Sequence, residues 1–176
     1  MSAPPVFLTG ATGFLGMEVL ARLLEAGQAF TTHGRTVTEA DVVGFASLTG
    51  DWHPQHTDAV WASGSAFGER IAHGLFVLSL AGGLVPFDPE RVVALRRIGD
   101  VVFKRPVKLG DTLRVQGRIA EATEVSDEAG LVAFNWNVVN QDGRTVCRAR
   151  VEVLWKRDGV GAEAPAESNE FVAIPL

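Results

Sequence analysis

Asp51 and His56 stand five residues apart in the segment Gly50-Asp-Trp-His-Pro-Gln-His56, with Pro54 between them and a helix end just before. A turn stiffened by proline can aim both side chains into one pocket, which two residues five apart on a helix do less well. A carboxylate and an imidazole that share one water make a proton-transfer pair. Spacing alone leaves a plainer reading open, in which Asp51 caps a turn, His56 lies on the surface and Asp58 starts the next helix. A metal reading is also open, with His53, His56 and His73 as nitrogen ligands and Asp51 or Asp58 supplying oxygen.

The elements around these residues follow from periodicity. Ala29 to Val37 reads as a strand. Thr38 has the chemistry to cap a helix, and Asp41 sits three residues on, where a capping-box acid reaches back. Val42, Phe45, Ala46 and Leu48 or Thr49 form the expected apolar stripe, and Gly50 ends the helix. Another helical turn is expected over Thr57 to Ser63. His73-Gly74 then opens a helix to about Val85 that is apolar nearly all round, which predicts burial.

After Pro86 the pattern changes to strands. Val92–Ile98 and Val101–Lys104 are β-prone, with Gly99-Asp100 expected to separate them. Strict alternation over Leu113–Ile119, Val132–Val138 and Cys147–Trp155 predicts half-buried strands. Asn140-Gln-Asp-Gly143 predicts the hairpin between the last two. Trp136 and Trp155 fall on the apolar faces as core or interface residues. One long buried helix followed by long antiparallel strands implies an α+β fold, with a sheet wrapped around that helix.

Beyond spacing, the run Phe45-Ala-Ser-Leu-Thr-Gly-Asp51-Trp-His-Pro-Gln-His56-Thr-Asp58, followed by Ile71-Ala-His73-Gly74, resembles the MaoC-like dehydratases and (R)-specific enoyl-CoA hydratases. Their signature is G-D-x-N-P-x-H-x-D, with I-x-H-G some fifteen residues later. The resemblance continues through Phe103-Lys-Arg-Pro-Val107 and Gly110-Asp-Thr112 and covers about three quarters of the chain. It implies a single hot-dog fold, with Asp51 and His56 as the catalytic pair that adds water across a trans-2-enoyl thioester to give the (R)-3-hydroxyacyl product. It makes the backbone N–H of Gly74 the oxyanion donor, a role that suits the start of a buried helix. Trp52, His53, Pro54, His73 and Arg105 are the expected substrate-binding residues, Trp52 as part of an acyl tunnel and Arg105 toward the phosphates of coenzyme A, with Arg97, Lys104 and Lys108 as further cations for them. His53 departs from the signature, which has asparagine there. No cofactor and no metal are expected, and the partners are an acyl-CoA or acyl carrier protein thioester and a second copy of the chain. A hot-dog thioesterase and a non-catalytic thioester-binding subunit are the alternatives.

Composition agrees with a small-molecule enzyme. The 176 residues are 47% hydrophobic and 21% charged, enough for a sizeable core, and the net charge of −5 argues against nucleic acid. Cys147 is the only cysteine, which excludes an intrachain disulfide and a cysteine-based zinc site. No apolar run approaches the ~20 residues of a membrane span, and a cytoplasmic protein is expected. Residues 1–27 read differently from the rest. Val6 to Thr9 is a short strand, followed by Gly10-Ala-Thr-Gly13-Phe-Leu-Gly16 and a helical run from Met17 to Glu25, which resembles the opening of an extended short-chain dehydrogenase. The next strand of a βαβ unit does not follow, so the segment is expected to be a fragment that binds no nucleotide. Residues 28–157 are expected to form the hot-dog domain and 158–176 a loose tail.

Overall fold

The computed structural model describes residues 27–156 and the backbone of Val6 and Phe7. The glycine turn and helix expected after Phe7, and the tail after Lys156, lie outside the described residues. In chain order the elements are β1 (Val6–Phe7), β2 (Ala29–Thr31), β3 (Arg35–Thr36), α1 (Glu39–Thr49), α2 (Pro54–Thr57), α3 (Ala59–Ser63), α4 (Gly74–Leu84), β4 (Val92–Phe103), β5 (Thr112–Glu124), β6 (Ala129–Val139) and β7 (Thr145–Lys156).

The sheet runs β1-β2-β5-β6-β7-β4, with β3 also paired to β5. All described pairings are antiparallel except β1 with β2, where Val6 lies opposite Phe30. The strand of the N-terminal fragment therefore adds to this sheet and does not begin one of its own. The inner face holds α4, whose Phe76, Val77, Leu80, Ala81 and Leu84 join the sheet residues in one apolar core. This is the α+β arrangement expected, a sheet around a helix.

Side-chain size alternates across the inner face. Phe30, Gly117, Trp136 and Ala149 are successive partners across β2, β5, β6 and β7. The two large rings thus alternate with the two small residues, as close packing requires. A Cβ on Gly117 would sit only 2.1 Å from Cζ of Phe30, a ring that is itself buried. Gly117→Ala is therefore expected to cost ~1–3 kcal/mol through overpacking. A urea midpoint equal to that of the parent would show that the Phe30 ring yields freely.

Several local expectations are corrected. The strand over Ala29 to Val37 is interrupted at Thr32–Gly34, where Thr32 Oγ1 accepts the Val115 N–H and gives its own hydrogen to the His33 carbonyl. His33 itself is exposed and takes no part in the site. Leu48 is 84% exposed and Thr49 is also exposed, so the stripe of α1 is Val42 and Ala46 with Phe45 partly buried. The helical turn expected over Thr57 to Ser63 is found as α3, and the segment before it, expected as a turn, forms the short helix α2 over Pro54–Thr57. Asp58 lies between them and caps α3, its Oδ1 accepting from Val60 and Trp61 N–H at 2.9 Å.

The helix α4 leaves Leu75 64% exposed and Ser79 exposed, so it is buried on most but not all of its surface. Gly99-Asp100 does not break β4. The ladder with β7 slips between Gly99 and Val102, and Asp100 takes a φ of 51°. Aspartate tolerates that left-handed conformation better than most residues, and a bulge absorbs the extra length. No helix among the described residues is long and apolar enough to cross a membrane.

Candidate active site

The site is assembled at the end of α1, on α2 and at the start of α4. Thr38 caps α1 as expected, with reciprocal bonds to Asp41. At the other end Gly50 adopts φ 78° and returns its N–H to the Ala46 carbonyl at 2.8 Å. That left-handed residue turns the chain out of the helix and delivers Asp51 immediately afterwards. Asp51 Oδ1 accepts the His53 N–H at 3.3 Å, so one carboxylate oxygen shapes the turn. Its Oδ2 lies 4.0 Å from Nε2 of His73.

Pro54 is the first residue of α2, where a missing N–H costs nothing. His53 is the cap of that helix, and its Nδ1 accepts the Gln55 N–H at 3.1 Å. An asparagine oxygen performs the same capping bond, which accounts physically for histidine at the position where the signature has asparagine. The other face of the His53 ring meets Trp61 edge-on at 5.4 Å.

His56 is buried and its Nδ1 lies 2.7 Å from the carbonyl oxygen of Ile71. Nδ1 therefore carries the hydrogen and donates it, which leaves Nε2 as a lone pair facing the site. Ile71 also gives its N–H to the Gln55 carbonyl, and Ala72 gives its own to Val107, so the segment before α4 is pinned from both sides. Burial holds the His56 imidazole below its ordinary range. The neighbouring His73 and His53 act in the same direction, while the Ile71 carbonyl and the Asp51 carboxylate oppose it.

His73 and Gly74 open α4. The His73 ring is 2% exposed, stacks on His56 with centroids 3.8 Å apart, and gives Nε2–H to the Asp51 carbonyl at 3.0 Å. Gly74 heads the helix, so its N–H is one of the first-turn donors with no intrahelical partner. A Cβ here would meet the Phe103 ring at 3.0–3.1 Å. Glycine is thus needed for the approach of this ring as well as for any ligand. Beside Gly74 lies a cavity of about 290 Å³ walled by Phe67, Val77, Phe103 and Val107, with Lys104 and Arg105 among its lining residues.

The structure brings Asp51, His56, His73 and the start of α4 together. Trp52 stays 53% exposed and does not line that cavity. Arg105 lines it and gives a guanidinium hydrogen to the Thr145 carbonyl. Lys108 is paired with Glu69 and Arg97 lies 3.9 Å from Glu152, and neither lines that cavity. Sequence reasoning missed the Ile71 carbonyl, whose role leaves no side-chain signal. It also assigned no role to Phe103, although the Phe103–Val107 run drew notice. The Arg70–Glu39 fork, at 2.7 and 2.8 Å, was equally silent because its partners are 31 residues apart.

One ligand-type atom from each of Asp51, His56 and His73 lies within 4.8 Å of the others, a spacing compatible with a metal ion. In each ring one nitrogen is already engaged, His73 Nε2 with the Asp51 carbonyl and His56 Nδ1 with the Ile71 carbonyl. Asp58 is occupied as a helix cap.

Comparison with known proteins identifies the family of the chain. Residues 23–139 match the family model of the MaoC like domain. The chain belongs to the MaoC-like domain family. It is 43% identical to Protein MaoC of Klebsiella aerogenes over 94 residues, covering 53% of this chain and 28% of that protein. It is 34% identical to the 3-hydroxybutyryl-CoA dehydratase of Methylorubrum extorquens over 87 residues, covering 49% of this chain and 55% of the relative. The chain thus spans between about a quarter and just over half of the length of these two relatives.

Among solved structures, the unliganded (R)-hydratase of Pseudomonas aeruginosa is 30% identical, with a TM-score of 0.65 over 84% of this chain and 94% of that one. The sheet wrapped around α4 is accordingly the hot-dog fold of MaoC-like proteins.

Proposed function

We propose that this MaoC-like chain reversibly hydrates trans-2-enoyl thioesters to (R)-3-hydroxyacyl thioesters, the acyl group being carried on coenzyme A or an acyl carrier protein. The observation that carries this reading is the clustering of Asp51, His56 and His73, with one carboxylate oxygen or ring nitrogen from each within 4.8 Å of the others, and His73 leading directly into the first turn of α4. Water held by the pair attacks C3 of the enoyl group, forming a C–O bond while a water proton passes to the pair. The C2–C3 π electrons move toward the thioester, and negative charge gathers on its carbonyl oxygen. The Gly74 N–H, at the positive end of α4, stabilises that charge. The pair then returns one proton to C2, so the net change is addition of H and OH.

The cavity beside Gly74 has the character of a thioester entry. Its walls are apolar, and Lys104 and Arg105 stand among its lining residues, where carrier phosphates would pass. A second copy of the chain completes the assembly. The strand β4 is a 12-residue edge with Val93, Leu95, Ile98, Val102 and Phe103 all exposed. A long apolar edge of this kind is covered in native assemblies. The protein is expected to sediment as twice its 18.8 kDa chain mass, and a protomer mass at micromolar concentration would remove the dimer.

The assay is loss of the conjugated-thioester absorbance of crotonyl-CoA. Turnover with saturated acyl-CoA left intact supports the hydratase. Thiol release from saturated acyl-CoA without loss of the enoyl band would instead make the protein a thioesterase.

The pH profile supplies a further check. Because the buried His56 is held below its ordinary range, its neutral form persists at lower pH. The acidic limb of kcat/KM is expected below the ordinary imidazole value of about 6.5. A limb above that value would mean that burial does not govern the group being titrated.

A further inference from the structure

We infer that His73 is a positioning residue that sets the Asp51–His56 pair without touching substrate. The inference rests on the hydratase reading above and concerns the same site. It replaces the expectation that His73 binds substrate, because a side chain only 2% exposed offers no surface to an incoming acyl group.

Three observations carry it. The Nε2–H of His73 donates to the main-chain carbonyl of Asp51 at 3.0 Å, so the ring fixes the backbone on which the carboxylate is carried. The ring lies against His56 at 3.8 Å with a 29° tilt, and Phe45 closes its surroundings at 5.1 Å. This packing sets the plane of the His56 ring, and hence the direction of its Nε2 lone pair. Finally, His73 is the cap residue of α4 but makes no side-chain capping bond, and it is covalently joined to Gly74. One imidazole therefore ties together the carboxylate loop, the second imidazole and the proposed oxyanion donor.

The orphan nitrogen supports a role beyond filling space. Nδ1 of His73 is buried with no hydrogen-bond partner among the described residues. A leucine or phenylalanine would occupy the same volume without that desolvation cost. Capping does not explain the polar ring either, since the first turn of α4 makes no use of it. Its polarity is used in the bond to the Asp51 carbonyl, with the Asp51 carboxylate a further 4.0 Å contact of the same nitrogen.

Two substitutions separate the two contacts. His73→Phe keeps a ring against His56 and loses the donor, whereas His73→Gln keeps an N–H donor and loses the stacked ring. With crotonyl-CoA, His73→Phe is expected to lower kcat by roughly 10²-fold, as small misplacements of reacting groups do. KM should stay within about three-fold, since no substrate contact is removed. His73→Gln should recover about ten-fold of that loss by restoring the donor. The acidic limb should move up in His73→Gln. The groups facing His56 are His73, Asp51 and His53, and this variant removes one imidazole while the carboxylate remains.

The wild-type protein also permits a test without turnover. Nitrogen-15 imidazole spectra should show His56 as the Nδ1–H tautomer and His73 as the Nε2–H tautomer. Those tautomers in a protein that hydrates no enoyl thioester would support the geometry while removing the hydratase reading. Wild-type kcat, KM and acidic limb in both variants would overturn the inference, as would a His73 spectrum of the Nδ1–H tautomer.

Discussion

Asp51→Asn and His56→Ala are each expected to lower crotonyl-CoA hydration by ~10²–10⁴-fold, the range for loss of one member of an acid–base pair. His56 is buried with Nδ1 committed to the Ile71 carbonyl, so Nε2 alone is free to exchange a proton with water. Alanine removes that nitrogen and leaves the Ile71 carbonyl without its donor. Asparagine at 51 is nearly isosteric, and its oxygen can still accept the His53 N–H now received by Oδ1. The turn should therefore survive while the carboxylate's charge and basicity are lost. If the residues act as one unit, the double variant should be no slower than the worse single one. Multiplicative losses would mean that the two groups serve separate steps. Activity within about five-fold of wild type in either single variant would place the reacting groups elsewhere.

Phe134→Ala should be the most damaging single truncation in the core. The side chain is wholly buried at the centre of β6, edge-on to Phe30 at 6.4 Å and to Phe87 at 5.6 Å. Its strand partners Ile119 and Val151 are buried too, so little can collapse into the space left behind. Truncation of a buried phenylalanine costs ~3–5 kcal/mol. That is a large part of the ~5–15 kcal/mol that holds a typical domain. Urea denaturation is expected to show a lower midpoint with an unchanged slope. A loss below about 1 kcal/mol would mean that Phe30 and Phe87 close the gap.

The two predictions test different levels of the molecule. Phe134 lies in the sheet core, and its loss would weaken the platform on which α4 rests. Asp51 and His56 lie outside that core, and the proposed chemistry rests on them. A protein destabilised by Phe134→Ala yet active at low temperature would show that the site tolerates a looser sheet. Inactivity in a fully folded Asp51→Asn protein would show that folding alone does not supply the reaction.

Much of this architecture could be read from local pattern. Alternation with period two marked β5, β6 and β7; β5 follows it in burial as far as Ile119, β7 alternates buried with half-buried positions, and in β6 only Asn135 is exposed. The capping box at Thr38 and Asp41, the stop at Gly50 and the turn from Asn140 to Gly143 were equally legible. Each depends only on atoms a few residues apart. The site motif was visible for the same reason, since Asp51 and His56 are only five residues apart, just after α1 and on the short helix α2.

Other features depended on partners distant in sequence. That neither Leu48 nor Thr49 joins Val42 and Ala46 on the buried stripe of α1 depends on how far the core reaches along the helix, which helical spacing alone does not specify. Gly99-Asp100 has the composition of a turn, yet β7 offers a continuous ladder and the chain stays in the strand with a bulge. Gly74 stood out as an oxyanion candidate, but the Phe103 ring resting on it comes from a strand 29 residues away. His73 was recognisable as part of a motif, while its hydrogen bond to the Asp51 carbonyl and its stacking on His56 exist only after α4 docks. The sequence by itself determined the α+β fold, the family and the residues with chemical potential, because these reside in local periodicity and fixed spacing. Tertiary structure alone decided which nitrogen of each imidazole faces the site, because that choice is made by main-chain carbonyls brought in from elsewhere in the chain.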